Sequence, residues 1–376
     1  VGQTKFFRKS IAIILFPCAW LLSWLSSFYP SAVEQIYASG IYKIIGQFLS
    51  RITGIFPFSL MEVSIILLFF STVGILLYGF VHITRYKGIQ KRTMLRIFTS
   101  ILSFFCIAYF IFITLWGMNY HRLPFASIAN LHIRPASVVE LRELCKNLII
   151  RANFLRTLVD ENGQGVMYIA KGHKDVFFRA AKGYENASAI YPELDGKYGR
   201  PKGILFSNVM SYAGISGIYF PFTGEANVNT AIPDCMLPST TCHEMAHQRG
   251  FAREDEANYI AYLACTMHPD ADFQYSGILL ALIHSMNTLS LHDPESYKQL
   301  KAMYSLSLQQ DLLHWNQFWK RYEGPIERAA SKANDAYLKS NLQEDGVHSY
   351  GRMVDLLLAE YRTAKDKSSK KLCQSP

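Results

Sequence analysis

Three stretches without an acidic or basic side chain constrain this chain more than anything else in it. Ser10 to Val33, Val63 to Thr84 and Ile97 to Tyr120 contain no Asp, Glu, Lys or Arg. Each reaches the roughly 20 residues a helix needs to cross the hydrocarbon core of a bilayer. The second, VSIILLFFSTVGILLYGFVHIT, and the third, IFTSILSFFCIAYFIFITLWGMNY, are too long and too apolar for ordinary core helices. Spans are therefore expected at about 10–31, 63–84 and 97–118, inside a membrane region of residues 1–120. Hydrophobic residues make up 50% of the 376 and charged residues only 18%, and the deficit in charge lies almost wholly before residue 121. Lys5, Arg8 and Lys9 ahead of the first run, with Ser31 and Ala32 behind it, also fit a cleaved signal peptide. The length of the run and the two spans after it favour a retained helix.

Basic residues set the expected orientation. Lys5, Arg8 and Lys9 precede the first run, and Arg85, Lys87, Lys91, Arg92 and Arg96 lie between the second and third. Between the first two, Lys43 and Arg51 are balanced by Glu34 and Glu62. The positive-inside rule then places the N-terminus and the second loop in the cytoplasm, and everything after Tyr120 outside the cytoplasm. The formal net charge of +9 is spent largely on these flanks. No basic stripe interleaved with aromatics stands out, so nucleic acid is not an expected partner; the lipid bilayer is. The Glu34–Pro57 loop carries Ile36, Ile41, Ile44, Ile45, Phe48 and Ile52 near helical spacing, which suits a segment lying on the membrane surface or packed on the spans.

The domain at 121–362 reads as α+β and helix-dominated. Ser137 and Glu140 have capping-box spacing ahead of Leu141, Leu144, Leu148 and Leu155. Lys174 to Ile190 reads as a second helix. Lys202 to Asn229, rich in Gly, β-branched and aromatic residues, reads as short strands and turns, forming a small sheet ahead of the next helix. Helical pattern then dominates, with candidates at 271–291, 294–305, 308–342 and Ser349–Arg362. The charged, aperiodic residues 363–376 are expected to be a disordered tail. Of seven cysteines, Cys18 and Cys106 lie in apolar runs, an odd number remains, and no CxxC occurs. That excludes a disulfide framework and a zinc ribbon, and leaves a Cys235–Cys242 bridge open.

Chemistry concentrates in STTCHEMAHQRGFAREDEANYIAY, residues 239–262. His243 and His247 are four apart, so on a helix both imidazoles project from one face about a turn apart, as two ligands of a tetrahedral zinc require. Glu244 is rotated about 100° from His243, placing it to reach water at the metal as a general base. Pro238 and Ser239 mark a helix start and Gly250 a stop. A catalytic zinc needs a third protein ligand. The pattern HExxHxxGxxH would place it at 253, which is Arg and cannot ligate. The gluzincin pattern takes a Glu from the next helix and, four residues later, a group that orients a ligand His; Glu254 and Asn258 have that spacing. Glu256 is the alternative third ligand, since it points roughly 200° away and only one of the two can face the metal. An acidic first turn that complements the helix dipole accounts for the rest of Glu254, Asp255 and Glu256.

The segment REDEAN resembles the RExxAD segment of membrane zinc peptidases of the CAAX prenyl protease and heat-shock membrane peptidase type. That resemblance implies Glu254 as metal ligand, with Asn258 standing where those proteins carry Asp. Its gap from His247 to Glu254 is much shorter than theirs. A closer resemblance, through WGMNYHRLPF (116–125), GIYFPFTGEANVN (217–229), HEMAHQRGFAREDEAN (243–258), NDAYLKSN (334–341) and SYGRMVDLLL (349–358), is to an uncharacterised family of bacterial membrane proteins. These have three N-terminal spans and an HExxH ectodomain. This resemblance implies a zincin-like domain and one zinc ion.

Further roles are expected by position. Gly217–Asn229 precedes the HExxH helix, where zinc peptidases pair a strand with the substrate backbone, and Glu225 and Asn227 are candidate substrate contacts. Tyr350, Arg352 and His348 are candidates for stabilising an oxyanion, with Tyr350 preferred. Cys242 is expected in the core, and Cys235 is not expected to bind metal. The function expected is a membrane-anchored zinc metallopeptidase acting on peptides or membrane-protein segments at the extracytoplasmic face of the cell membrane. The alternatives are a zinc amide hydrolase of the cell envelope and a non-catalytic sensor with a structural zinc.

Overall fold

A computed structural model describes residues 2–85 and 91–373. The loop basic residue Lys87 and the last residues of the tail, 374–376, lie outside the described residues. Helix α1 (Gly2–Ser26) is followed by a short α2 (Pro30–Ala32), a π-helix (Val33–Tyr42) and α3 (Lys43–Thr53). The expected first span at 10–31 is corrected here, because α1 stops at Ser26 and the chain bends by 104° between Ala12–Ser26 and Pro30–Thr53. The cause is local. Pro30 has no N–H to continue the helix and pushes Tyr29 out of the α region, to φ −130°.

Two helices are long and apolar enough to cross a membrane, or three if the bent pair is one span. They are α4 (Leu60–Arg85) and α5 (Lys91–Leu115). Helix α5 packs along α1, while α4 is almost bare, with 6% of its apolar window buried. A 3₁₀ turn (Gly117–His121) and α6 (Phe125–Ile128) lead into the remaining helices. These are α7 (Val138–Arg156), α8 (Gly172–Arg179), α9 (Ala181–Ser188), α10 (Ser207–Tyr212), α11 (Leu237–Gln248) and α12 (Glu254–Thr266), followed by α13 (Ala271–His292), α14 (Pro294–Lys301), α15 (Leu306–Lys320), α16 (Pro325–Ser340) and α17 (Met353–Cys373).

Helix α7 starts with the reciprocal capping box of Ser137 and Glu140. The single helix expected over 174–190 is two, α8 and α9, and the one expected over 308–342 breaks at Gly324–Pro325 into α15 and α16. Beyond Arg362 the expected tail continues α17 as helix to Cys373, because its Lys, Ala and Ser residues include no Gly or Pro to stop it. Strands β1 (Lys202–Gly203), β2 (Gly217–Phe220) and β3 (Glu225–Val228) form one small mixed sheet in the order β1-β3-β2. The fold is helix-dominated α+β.

One large core gathers α7, α11, α12, α13 and α17 around Leu148, Ile149, Tyr259, Ile260 and Phe273, all essentially buried. A second, smaller core is built from Val33, Tyr37, Tyr42, Trp116, Tyr120, Tyr219 and Ala252. It joins the membrane-side elements to the sheet and to the turn after α11. A buried bidentate ion pair locks the two together, with Arg122 Nε to Glu34 Oε2 at 2.8 Å and Nη2 to Oε1 at 2.6 Å. The same guanidinium lies 3.9 Å over the Phe251 ring.

Candidate metal centre

Helix α11 is buried on nearly every side, with only His243 partly exposed. Pro238 in its first turn costs no hydrogen bond there. The helix ends at Gly250, whose φ of +85° is the left-handed conformation that favours glycine, and whose N–H reaches His247 O at 2.8 Å. A side chain at 250 would also meet the Tyr42 ring, 2.8 Å from where its Cβ would stand. The turn then carries the chain straight into α12, so Glu254 and Asn258 face back toward α11.

The result is a tight cluster of His243, His247 and Glu254, one ligand atom each, within 4.8 Å of one another. His243 Nε2 and His247 Nε2 are 3.0 Å apart. Glu254 Oε2 lies 3.1 Å from the first and 3.4 Å from the second. Both Nδ1 atoms are committed elsewhere: His243 Nδ1 donates to Asn258 Oδ1 at 2.8 Å, and His247 Nδ1 donates to Phe251 O at 2.7 Å. In neutral imidazoles those donations leave the Nε2 lone pairs pointing into the cluster. Three acceptors facing one another at this range repel unless a proton or a cation lies between them. A tetrahedral zinc with ligands at ~2.0–2.1 Å needs its ligand atoms about 3.3–3.4 Å apart, so the donor set fits that ion in kind and in spacing.

Electrostatics follow from the same packing. Burial opposes charge on both partners, yet the imidazoles hold the Glu254 carboxyl well below the usual carboxylate range. Burial alone would lower His247, but the Glu254 carboxylate more than reverses it and pushes the imidazole up to about 9. Glu244 is buried beside them with Oε2 lacking a hydrogen-bond partner among the described residues. Burial pushes its carboxyl up to about 7, against the pull of His243 and His247. Strand β2 passes directly over it, close enough that any side chain at Gly217 would collide with the Glu244 carboxylate.

The other expected positions divide cleanly. Glu256 turns to the opposite side of α12, where Oε1 accepts from the Phe125 backbone N–H at 2.9 Å. Tyr350 sits beside Glu254 and Glu244, its backbone oxygen accepting from Asn258 Nδ2 at 3.2 Å, and burial with those two carboxylates pushes its phenol well above the usual range. Arg352 instead pairs with Asp345, and His348 lies by Asp335.

Glu225 and Asn227 are corrected as substrate contacts. Glu225 binds Lys202 Nζ at 2.5 Å and the backbone N–H groups of Leu60 and Met61, while Asn227 is fully buried. Both sit on β3, the central strand, already paired on both edges. Cys235 and Cys242 are free and buried, so no bridge joins them.

Several neighbours of the cluster carry no spacing signal. Trp116 meets the His247 ring edge-on, with centroids 6.0 Å apart. The Tyr42 hydroxyl lies 3.1 Å from both Tyr219 Oη and Gln248 O. Tyr120 and Tyr337 share a hydroxyl contact of 3.0 Å next to Glu254. His284 on α13 is pushed down to about 4 by burial and by His243. Trp116, Tyr120, Tyr219 and Tyr337 fall inside the strings that carry the family resemblance, which was the available signal; Tyr42 and His284 had none. Neither curated proteins nor solved structures yield a match to the chain. Residues 37–358, which take in both candidate spans and the whole cluster, match the family described as protein of unknown function (DUF3810), and the chain belongs to that family.

Proposed function

We propose that this chain is a membrane-anchored zinc peptidase whose catalytic domain faces the extracytoplasmic side. One observation carries the reading. Two imidazole nitrogens and a carboxylate oxygen converge at 3.0–3.4 Å with their outer hydrogen bonds already made, and a second buried carboxylate stands beside them without a partner for one oxygen. A zinc ion held by His243, His247 and Glu254 supplies the Lewis acidity that polarises a carbonyl and acidifies water.

Glu244, with its carboxyl near 7, is suited to both halves of general acid–base catalysis at neutral pH. It takes a proton from water as the water oxygen bonds to the scissile carbonyl carbon. When the C–N bond breaks, it delivers that proton to the leaving amine. The Tyr350 phenol, which stays protonated, donates a hydrogen bond to the oxyanion. Strand β2 is an edge of the sheet among the described residues, so its outer side offers backbone groups to an extended substrate running over Glu244.

Orientation rests on the basic residues ahead of the first apolar run and between the second and third. A Glu244→Gln variant tests the chemistry. Zinc retention with at least about 10²-fold loss of turnover on a peptide library supports the reading; full turnover in the variant, or no peptide cut by the zinc-loaded parent, contradicts it.

A further inference from the structure

The third apolar helix does not merely tether the metal centre. Trp116, immediately after the apolar window Ile97–Leu115, touches the His247 ring. The cluster therefore lies one residue beyond the end of a candidate span. The bent segment keeps it at that level, because α3 and the turn after it expose Ile44, Phe48 and Ile55 at 71%, 67% and 78%. Apolar exposure of this kind on a segment turned by 104° is the pattern of a helix lying in the membrane interface.

A cavity of about 340 Å³ opens between α1, α5 and α16 at this same level. Its size is in the range of small-molecule sites. Tyr109, Phe112 and Ile113 line it from within the apolar window of α5, and Leu342 lines it from the loop after α16. Its other end is polar, where Ser23 Oγ and His121 Nε2 meet at 2.9 Å. Tyr120 and Tyr337 complete the wall, and their paired hydroxyls stand between the cavity and Glu254.

Leu342 is itself strained. Its φ is +66°, a left-handed conformation a bulky residue rarely adopts, with the side chain 54% exposed. The next residue, Gln343, accepts the Glu254 N–H at 3.0 Å. An unusual backbone conformation thus holds an apolar side chain at the cavity and a ligand helix at the metal centre together.

We propose that this cavity binds the acyl chain of a lipid-tethered polypeptide, which enters sideways from the bilayer and presents the peptide next to its lipid anchor to the metal centre. The bilayer-facing wall supplies the hydrocarbon contact, and the polar end meets the first peptide groups. An ordinary soluble peptide has nothing to place there. The cut beside the anchor rests on the peptidase reading above; the binding does not.

The test uses the full chain carrying Glu244→Gln in lipid nanodiscs, with a palmitoylated peptide bearing a diazirine near the end of its acyl chain. After photolysis, mass spectrometry is expected to find adducts at Tyr109, Phe112, Ile113 and Leu342. Unlabelled palmitoylated peptide should compete, and the same peptide without its acyl chain should not. Ser340→Trp, which fills the cavity from an exposed position, should lower labelling about tenfold, and Leu342→Gly should lower it while raising stability. Labelling spread equally over Leu60–Val81, equal labelling by a diazirine phospholipid that palmitoylated peptide does not displace, or competition by the non-acylated peptide overturns the assignment. If the cavity is labelled as expected and the parent chain cuts no peptide, the binding site stands and the peptidase reading falls.

Discussion

Replacing Asn258 by Ala removes a single acceptor from behind the cluster, and its effect can be worked from the geometry. Asn258 Oδ1 takes the His243 Nδ1 proton at 2.8 Å, and its Nδ2 donates to Tyr350 O at 3.2 Å. With both gone, the His243 ring loses the contact that selects its tautomer and orientation, and a backbone carbonyl loses a donor. One neutral hydrogen bond contributes about 1 kcal/mol, and losing the partner of a metal-ligating imidazole typically weakens metal binding about 10–100-fold, or roughly 1.4–2.7 kcal/mol. Zinc affinity measured by competition with a chromophoric chelator at fixed pH should therefore fall by that factor in Asn258→Ala. Asn258→Asp, which offers a charged acceptor at the same distance, should bind zinc as tightly as the parent or more tightly. Glu256→Ala should leave the affinity within about threefold, because that carboxylate bonds Phe125 on the far side of α12. An Asn258→Ala protein within twofold of the parent would refute the orientation argument.

Three other outcomes follow from the same contacts. His247 is raised from its ordinary 6.5 to about 9 in the metal-free chain, so its contribution to stability is complete below pH 6.5 and is lost as pH rises through 9. Urea titrations of metal-free protein should show that loss, and zinc affinity should rise about tenfold per pH unit across the same window as one proton is displaced. Gly250→Ala forces a side chain into φ +85° against the Tyr42 ring and should destabilise the fold by about 2–4 kcal/mol in thermal or denaturant unfolding. Glu34→Gln breaks the buried pair with Arg122 and should cost about 3–5 kcal/mol in detergent-solubilised protein, with much of it recovered in a Glu34→Leu, Arg122→Met double variant.

What the sequence revealed, and what it hid, divides along the range of the contacts. His243 with His247, and Glu254 with Asn258, are each four residues apart on a helix, and helical geometry alone puts each pair on one face. Gly250 announces the turn that brings the two helices together. The capping box at Ser137 is equally local. Strand position is not local: nothing in GEANVN says that β3 lies between two neighbours, so Glu225 reads like an exposed contact until Lys202 and the amides of Leu60 and Met61 are seen to claim it. The first apolar run reads as one span by composition, but Pro30 ends its helix early and redirects the next 20-odd residues along a different axis. Tyr42 reaches the turn after α11 from 206 positions away, to Gln248 O. Only the assembled fold shows why an aromatic there matters.

The most direct measurement is X-ray absorption at the zinc edge on full-length protein purified without added chelator, with metal content determined on the same sample. One zinc per chain is expected, bound by two imidazole nitrogens and at least one carboxylate oxygen at about 2.0–2.2 Å, with content falling to background in His247→Ala and Glu254→Ala. Parent protein with far less than one zinc after zinc reconstitution, or full metal content in both variants, would contradict the account.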